Sequence, residues 1–428
     1  MWISVCKRRG KSLMPVIVAA GALILAGCSG GGGSSKPVTT PRPRPTTTVA
    51  SSTPAVLSTT TTTAASAPAG GPVPAGFRAQ SATFVSADQG WVLGTAPCAT
   101  APCTSIVRTS DDGGTWAGIP APTDGLENPQ SGSTIPSGVS EIRFADNLNG
   151  WVFGPDLWST HDGGAMWSHI TSGPGASRVV DLESSGGFVY VVTEQCSDQA
   201  STCPGQLWRS GNTTDAFQTL ATFAVAPEDA YAGPILAVHD ATGYVVTAAT
   251  TGAIGTPALL VTANGTSWST EPNPCPAQLD EISVAPVDTA RAAMLCSGQG
   301  AAGSTTKAVL ATSDGGHTWV PAGSAPPSGG DGGTLSAATV STLAIATSSA
   351  ATEIYRSVNG GATWTTPLSL DDGGDGWGDF GFTDSTHGFA VHAPIGRYQT
   401  ISTGATSADT GTFYITSDAG ATWSAVAF

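Results

Sequence analysis

The sequence predicts an all-β protein, a seven-bladed β-propeller of four-stranded antiparallel blades, and two observations lead to this fold. An eight-residue pattern, T/S-x-D/N-x-G-x-x-W, recurs with its closing aromatic residue at successive spacings of 51, 50, 51, 51, 45 and 59. Apolar segments separated by Gly, Asp and Asn turns fill the intervals between the copies. Repeats of about 50 residues that each hold four short strands bury their apolar faces by packing around a common axis.

Each copy of the pattern is called a box, and the boxes are numbered one to seven along the chain. The five complete boxes are TSDDGGTW (109–116), THDGGAMW (160–167), TSDGGHTW (312–319), SVNGGATW (357–364) and TSDAGATW (416–423). Box four, TANGTSW (262–268), lacks one residue, and box three, SGNTTDAF (210–217), ends in Phe. Box three has lost its Gly and Trp, so we expect blade three to be the least regular.

A second element precedes some boxes and supplies the first two strands of a blade. It is clearest as FVSADQGWVLG (84–94), IRFADNLNGWVFG (142–154) and FGFTDSTHGFAV (380–391). Alternation and β-branched residues favour strands, and the Gly/Asp/Asn clusters between them favour turns. The first strand of blade one starts near Ala79 and the last strand of blade seven ends near Phe428. No strand is left to cross between these blades, so we expect side-chain packing to close the ring.

The chemistry of a box suits a turn. An Asp or Asn side chain accepts hydrogen bonds from turn amides, Gly permits a positive φ, and the Trp ring is expected to be buried between strands. We therefore predict structural roles for these residues: Asp111, Trp116, Asp162, Trp167, Trp268, Asp314, Trp319, Asn359, Trp364, Asp418 and Trp423.

The amino terminus has the pattern of an export signal. KRRGK (7–11) is followed by the apolar segment SLMPVIVAAGALILA (12–26) and then by LAGC, which ends at Cys28. This order resembles the bacterial lipoprotein signal, in which the Cys is lipidated; an ordinary secretory signal is the alternative. The resemblance implies a signal peptide at 1–27 and an extracytoplasmic protein held on the bacterial membrane by lipid on Cys28.

Composition separates the rest of the chain into a linker and a folded body. Residues 28–75 are mostly Ser, Thr, Pro, Gly and Ala, which predicts a disordered linker, and residues 76–428 hold all seven boxes. The body has nine basic residues against 31 acidic ones. Such an acidic surface repels phosphate backbones, so we expect no nucleic-acid partner. A monomer is a separate expectation.

Six cysteines follow Cys28, and an even number in an exported protein suggests disulfides. The short separations favour two local pairs and leave a third pair by elimination. The predicted pairs are Cys98 with Cys103, Cys196 with Cys203, and Cys275 with Cys296. A zinc site is the alternative, but the chain has no C-x-x-C and no His at ligand spacing.

The boxes resemble the Asp-box (BNR) repeat of bacterial sialidases, xyloglucan-degrading glycosidases and sortilin-type receptors. The combination of F-x-D-x-x-x-G-W with DGG-x-x-W is similar to the photosystem II stability/assembly factor family, over residues 78–428. The resemblance implies seven blades, with the box hairpins joining strands three and four at the periphery. It implies little about function, because propellers serve both as enzymes and as binding scaffolds.

A sialidase-type site needs three convergent Arg residues, but Arg108, Arg209 and Arg356 directly precede boxes, which suggests the periphery. A glycosidase with two carboxylates could draw on first-strand residues such as Glu141, Asp181, Glu183, Asp280 and Glu281, but nothing marks any pair, and solvated residues at the strand edges are favoured. We expect no catalytic residue, cofactor or metal, and a binding scaffold for a protein or surface glycan; the alternative is an Asp-box glycoside hydrolase. The candidate binding residues at the channel mouth are Glu141, Arg143, Asp181 and Glu281.

One acidic run, DDGGDGWGDFG (371–381), has four carboxylates among glycines and raises the possibility of calcium binding. Its spacing does not match an EF-hand loop. It lies between the sixth and seventh predicted blades, where Gly/Asp turns are expected, so a structural turn is favoured.

Overall fold

A computed structural model describes most of the chain after the linker. The described residues are 67–100, 103–126, 137–196, 203–225, 234–247, 258–279, 281–298, 303–348, 352–371, 376–392 and 411–428. The predicted signal peptide 1–27, Cys28 and the linker up to residue 66 lie outside the described residues.

The prediction of seven four-stranded antiparallel blades is confirmed. Within the described residues, 28 strands form seven sheets, and each sheet holds four strands that are consecutive in sequence. The boxes join strands three and four of the blades. A short 3-10 helix, Gly173–Ala176, precedes the first strand of blade three.

The first four blades contain β1 to β16 in chain order. Blade one holds β1 (Arg78–Phe84), β2 (Gly90–Thr95), β3 (Thr104–Thr109) and β4 (Ala117–Ile119). Blade two holds β5 (Glu141–Phe144), β6 (Gly150–Phe153), β7 (Leu157–Thr160) and β8 (Ser168–His169). Blade three holds β9 (Arg178–Ser185), β10 (Phe188–Glu194), β11 (Cys203–Gly211) and β12 (Gln218–Val225). Blade four holds β13 (Ile235–His239), β14 (Thr242–Val246), β15 (Leu259–Thr262) and β16 (Ser269–Glu271).

The remaining three blades follow the same order. Blade five holds β17 (Glu281–Pro286), β18 (Ala292–Ser297), β19 (Lys307–Thr312) and β20 (Val320–Pro321). Blade six holds β21 (Asp331–Ala337), β22 (Leu343–Ser348), β23 (Thr352–Ser357) and β24 (Thr365–Leu370). Blade seven holds β25 (Trp377–Phe382), β26 (Gly388–His392), β27 (Thr412–Thr416) and β28 (Ser424–Val426).

Burial changes systematically across a blade. The second strands are the most buried, and every residue of β6 and of β18 is buried. The fourth strands are the most open, and both residues of β8 are exposed. This gradient is expected because neighbouring blades diverge toward the rim, so apolar and β-branched residues gather in the inner strands.

The hydrophobic core is divided into seven clusters, and each cluster is shared by two neighbouring blades. The closing aromatic of each box belongs to the cluster between its own blade and the preceding one. Trp319 of box five, for example, meets Tyr244 of blade four with ring centroids 6.0 Å apart. We expected these aromatic side chains to lie between strands, and this is corrected: they lie between neighbouring blades. They therefore help to hold the blades of the propeller together.

Side-chain packing closes the ring between blades one and seven, as predicted. The ring centroids of Phe77 and Phe428 are 4.8 Å apart, and those of Trp116 and Phe413 are 5.7 Å apart. One backbone hydrogen bond, from Ala79 N to Gly411 O at 3.0 Å, also crosses the junction. Each of the two sheets keeps its own four strands.

The folded body begins before residue 76, the boundary expected from composition. Gly71 and Gly118 exchange two backbone hydrogen bonds of 2.8 and 2.9 Å, which form a short bridge along the outer edge of β4. Arg108 Nη2 donates to Pro68 O at 2.6 Å. The last part of the Pro- and Gly-rich segment therefore covers an otherwise open strand edge, a position that blunts unwanted pairing.

Blade three has long strands, but its pairings of β9 with β10 and of β11 with β12 each contain a register shift. Blade six also has two such shifts, so by this measure blades three and six are the two least regular blades. The strands of blade three contain eight, seven, nine and eight residues, and β11 is the longest strand that the structure describes. The box is replaced by a compact turn in which Ser210 Oγ donates to Thr214 O at 2.9 Å. The turn without the Gly and Trp thus differs from a box, and long strands flank it on both sides.

Candidate functional site

The central channel is lined by first strands, because strand one of each blade is the innermost. A cavity of about 300 Å³ is lined by side chains from β5, β9, β13, β17, β21 and β25. These six first strands face the cavity, so side chains on them can reach across from blade to blade. Five charged residues in this wall, named the channel ion network, are Glu141, Arg143, Asp181, Glu183 and Asp379.

Arg143 is the centre of this network. Its Nε donates to Glu183 Oε1 at 3.1 Å, and its Nη2 donates to Glu141 Oε2 at 3.4 Å. Its two terminal nitrogens also bind the two oxygens of Asp379, each at 3.3 Å, in a paired arrangement. One guanidinium thus joins carboxylates from blades two, three and seven.

A guanidinium carries five N–H donors, and all five of Arg143 are used. Four go to the carboxylates, and the fifth goes to the backbone oxygen of Ile142 at 2.8 Å. The Arg143 side chain is only 16% exposed. An anionic ligand would therefore have to displace an existing partner before this arginine could bind it.

Two of the carboxylates also hold the inner edges of the blades together. Asp181 Oδ2 accepts from Leu236 N at 2.7 Å, which links blade three to blade four. Asp379 Oδ2 accepts from Ala82 N at 3.0 Å and from Ser81 Oγ at 2.5 Å, which links blade seven to blade one. Backbone amides on first-strand edges would otherwise lack partners, so these two carboxylates have a structural task.

The electrostatics of the network follow from burial and charge. Burial alone lowers the pKa of Arg143, but Asp379, Glu183, Glu141 and Asp181 outweigh it and hold that pKa well above the usual value. Burial raises the pKa of Glu183 to about 7; Arg143 opposes this rise, and Asp181 adds to it. Near neutral pH, Glu183 therefore exchanges a proton readily.

The rest of the cavity wall is formed by residues of β13, β17 and β21, with Trp377, Phe380 and Phe382 from β25. Several of these apolar residues are buried in the clusters between blades, among them Ala237, Leu335 and Phe380. The surface that the cavity exposes is therefore more polar than apolar. The site has an ionic side, contributed by blades two, three and seven, and a side contributed mainly by blades four to six.

The candidate residues from the sequence are only partly brought together. Glu141, Arg143 and Asp181 line the cavity, whereas Glu281 is not among its lining residues and lies near Gly332 at the start of β21. Asp379 belongs to the acidic run, and sequence reasoning does not place it in the channel. The sequence feature that could have placed Asp379 in the channel is its position on the first strand of blade seven, a few residues before F-x-D-x-x-x-G-F.

The arginines that precede boxes are peripheral, as predicted. Arg209 Nη1 donates to Gly265 O of box four at 3.0 Å, and Arg356 Nε donates to Ala419 O of box seven at 2.7 Å. Among the described residues that line the cavity, Arg143 is the single arginine. Within its described residues, the cavity wall therefore holds no three-arginine arrangement of the sialidase kind.

The box residues form self-contained turns. In box five, Thr312 Oγ1 donates to Asp314 Oδ1 at 2.8 Å, and Asp314 accepts from Thr318 N at 2.9 Å and from Thr318 Oγ1 at 2.6 Å. These hydrogen bonds, above all that from the Thr318 side chain, hold the pKa of Asp314 well below its usual value. Gly316 adopts φ +96°, and a Cβ there would come 2.6 Å from the Tyr244 ring.

Equivalent contacts recur in the other complete boxes. Asp111, Asp162 and Asp418 accept from the amide four residues later at 2.8 to 2.9 Å, and Asn359 does so at 2.9 Å. The shortened box four uses Asn264, which accepts from Thr266 N and Ser267 N. These side chains are occupied by their own turns, which supports a structural role.

All three predicted disulfides form: Cys98–Cys103, Cys196–Cys203 and Cys275–Cys296. The first two staple the connections between strands two and three of blades one and three. The third ties the segment before β17 to β18, where Cys296 is fully buried. Two of the disulfides thus close hairpin loops, and the third fixes the segment that leads into β17, a strand of the channel wall.

The described residues were compared with the requirements of a metal site and of a membrane-spanning helix. Across the described ranges, no group of three or more His, Cys, Asp or Glu side chains is arranged to hold a metal ion. Asp372 and Asp375 of the acidic run lie outside those ranges, so the prediction of a structural turn there rather than a calcium site stays untested. Among the residues described, no helix is both long and apolar enough to cross a membrane.

The fold and its channel define a seven-bladed propeller with a central, partly ionic cavity. No family model and no curated protein matches the sequence. YCF48 bound to D1 peptide is similar in structure, with 18% identity and a TM-score of 0.50 over 76% of this chain and 95% of that chain. YCF48 from Cyanidioschyzon merolae has 17% identity and a TM-score of 0.49, with 74% and 94% covered.

Niastella koreensis GH74 is also similar, with 14% identity and a TM-score of 0.30, and covers 81% of this chain and 65% of that chain. At such identities the likeness to YCF48 shows the propeller fold alone.

Proposed function

We propose that the chain is a lipid-anchored, extracytoplasmic propeller that binds a protein or a cell-surface glycan at its central channel without transforming it. The observation that carries this proposal is the saturated Arg143 in the channel ion network. Glu141, Glu183 and Asp379 are paired with this one guanidinium. A pair of carboxylates working as independent acid and base is a different arrangement.

Two further features support a position outside the cytoplasm, and a third supports a protein ligand. The lipoprotein-like pattern ending at Cys28 suits a surface anchor, and the three disulfides suit an oxidising compartment. The similar propeller YCF48 is known with a D1 peptide bound, so this architecture can hold a peptide. A protein partner is therefore a reasonable ligand for the present chain.

A glycosidase is the second candidate, and one observation favours it. The pKa of Glu183, raised to about 7 by burial, would keep this carboxyl protonated at mildly acidic pH, as a general acid requires. Under this alternative, Glu183→Gln would abolish hydrolysis of sialosides or β-glucans.

The test compares the full-length chain with two variants. Ala337→Phe narrows the cavity at a half-buried lining position, and Ala362→Phe places the same side chain at an exposed position in box six. We expect the wild type and Ala362→Phe to capture the same extracytoplasmic ligand and Ala337→Phe to lose it, with no turnover of sialosides or β-glucans. Capture that survives Ala337→Phe, or turnover lost in Glu183→Gln, would overturn the proposal.

A further inference from the structure

A recurring hydrogen bond joins the first strands of neighbouring blades around the channel. A side chain of one first strand accepts from a backbone N–H of the next first strand, at 2.7 to 3.0 Å. The position that supplies the acceptor is named the cap position. It directly precedes the residue whose own N–H points to the preceding blade, as Ser81 precedes Ala82. The capped pairs are Asp379 with Ala82, Ser81 with Ile142, Asp181 with Leu236, and Ser283 with Leu335.

Two further first strands satisfy an N–H on the channel edge in other ways. Leu182 N donates to Asp181 Oδ1 at 2.8 Å within β9. Phe382 N of β25 donates to Ser336 Oγ of β21 at 3.1 Å. The donors of the four capped pairs lie on β1, β5, β13 and β21, so within the described residues six of the seven first strands have such a hydrogen bond.

The remaining first strand, β17, has no such hydrogen bond among the described residues. Successive N–H groups of an antiparallel strand point to opposite edges. Val287 N donates to Arg291 O at 2.8 Å across the hairpin to β18, so Val284 N, three residues earlier, points to the channel edge. Pro286, the next residue on that edge, has no N–H.

The residue at the cap position of blade four explains this difference. It is Ile235, which directly precedes Leu236 and has no polar side-chain atom. Ile235 and Val284 both line the channel cavity, and Val284 is only 6% exposed. The Val284 N–H is therefore a buried donor beside the cavity, without an acceptor among the described residues. A donor in this position gains more from an acceptor on a ligand than an N–H that is already paired.

The surroundings of this donor select the kind of acceptor. The side chains that β13 and β17 contribute to the wall are apolar except for Ser283, whose Oγ already accepts from Leu335 N. A carbonyl oxygen needs only a donor, whereas a sugar hydroxyl also carries a proton that needs an acceptor. A carboxylate would share the cavity with Glu183 and Asp379 and be repelled. The neutral carbonyl of a peptide bond meets all three conditions.

We propose that the backbone N–H of Val284 binds a backbone carbonyl oxygen of a partner peptide in the channel cavity, and that Ile235 keeps this donor open. The inference rests on the proposed function and deepens it, since it names a peptide as the ligand and one donor that holds it. The rim already holds an extended segment by its backbone, because Gly71 and Gly118 exchange two hydrogen bonds there. Pairing with a free strand edge is a recurrent mode of peptide recognition.

The first experiment needs no ligand. The full-length wild type is compared with Ile235→Thr and Ile235→Val, two variants of similar shape that differ by the hydroxyl acceptor that a cap requires. Native-state hydrogen exchange measures the Val284 amide against the capped amides of Leu236 and Leu335. We expect Val284 to exchange about tenfold faster than these in the wild type and Ile235→Val, and to slow by about tenfold in Ile235→Thr. Equal protection of the three amides in the wild type, or no slowing in Ile235→Thr, would overturn the inference.

The second experiment measures binding. The probes are a randomised N-acetyl heptapeptide library and a panel of neutral cello- and xylo-oligosaccharides, and the strongest peptide is titrated calorimetrically. We expect the wild type and Ile235→Val to bind this peptide alike and Ile235→Thr to bind it about tenfold more weakly, because its hydroxyl occupies the donor.

Retention of oligosaccharides in place of peptides, no retention of peptides, or equal affinity of the two variants contradicts the inference. The scaffold proposal is tested separately by Ala337→Phe. If Ala337→Phe loses the natural ligand while Ile235→Thr keeps it, the scaffold function stands and only the peptide contact at Val284 is wrong.

Discussion

The boxes and the channel ion network both hold carboxylates by hydrogen bonds, but they differ in how far the partners lie along the chain. Asp314 in box five is satisfied by Thr312 and Thr318, two and four residues away. Arg143 in the channel binds partners 2, 40 and 236 residues away. A turn that needs only its own eight residues can be repeated around the ring. The described residues, by contrast, form the network at a single place, where three blades meet.

The two regions also shift carboxyl pKa values in opposite directions. Hydrogen-bond donors surround Asp314 and hold its pKa low, while burial raises the pKa of Glu183 to about 7. The turn of box five therefore stabilises ionised Asp314, and the channel holds ionised Glu183 at a cost. Of these two carboxyl groups, Glu183 rather than Asp314 is the one whose charge responds near neutral pH.

The largest effect is expected for Arg143→Met. Removing the guanidinium leaves Glu141, Glu183 and Asp379 together in the channel without their shared partner, and breaking such a network costs about 3–5 kcal/mol of unfolding free energy. Urea denaturation at pH 8 measures the loss. Arg291→Met is the control, because Arg291 is 52% exposed and pairs only with Asp288 three residues away, so its loss should cost less than about 1 kcal/mol. Equal effects of the two variants would contradict the comparison.

A smaller effect is expected for Trp319→Ala in box five. The half-buried ring fills the interface with blade four, and its Nε1 donates to Gly316 O at 3.0 Å. The cavity left behind should cost about 2–4 kcal/mol, at or below the usual range for a buried Trp because the ring is partly open.

The matched control for this change is Phe188→Ala, at an exposed aromatic residue that is 37% accessible and is covered mainly by Arg209. That variant should lose less than about 1 kcal/mol. Thermal or urea melts of both variants decide the matter: if Trp319→Ala is no more costly than Phe188→Ala, the boxes do not hold the blades together.

The smallest effect is expected for Glu183→Gln, which should stabilise the protein at pH 8, whereas the preceding variants destabilise it. The folded-state pKa of about 7 exceeds the ordinary glutamate pKa of 4.5, so the folded protein takes up a proton and gains stability as the pH falls from 8 through 7. Glu183→Gln should remove this pH dependence and raise the unfolding free energy by about 1–3 kcal/mol at pH 8.

The box carboxylates have the opposite pH dependence, because their folded-state pKa is lowered. The stability that they contribute is present at neutral pH and is lost only when the pH falls below the unfolded-state pKa of about 4. Denaturation curves from pH 4.5 to pH 8 are therefore compared between the wild type and Glu183→Gln, since the six histidines are the same in both and the difference in slope isolates Glu183. Asp371→Asn is a control that should keep the wild-type slope. An unchanged slope in Glu183→Gln would show that Glu183 is not the group that titrates.

The sequence was sufficient for the architecture because its information is local and repeated. Box spacing predicts seven blades, turn chemistry predicts the roles of Asp314 and its equivalents, and short separations predict the disulfides. Blade three shows the limit of this reasoning. Its box is degraded, yet its strands are the longest, because ladder pairing between β10, β11 and β12 depends on residues outside the box.

By itself, then, the sequence determined the blades, the box turns and the cysteine pairs, all of which depend on residues near one another or on a regular period. Only the tertiary structure brought Asp379 and Glu183 to Arg143, moved Glu281 out of the candidate site and placed each box aromatic between blades. The physical reason is that curvature and closure of the ring decide which first-strand residues meet across the channel. No local pattern encodes a contact between residues 236 positions apart.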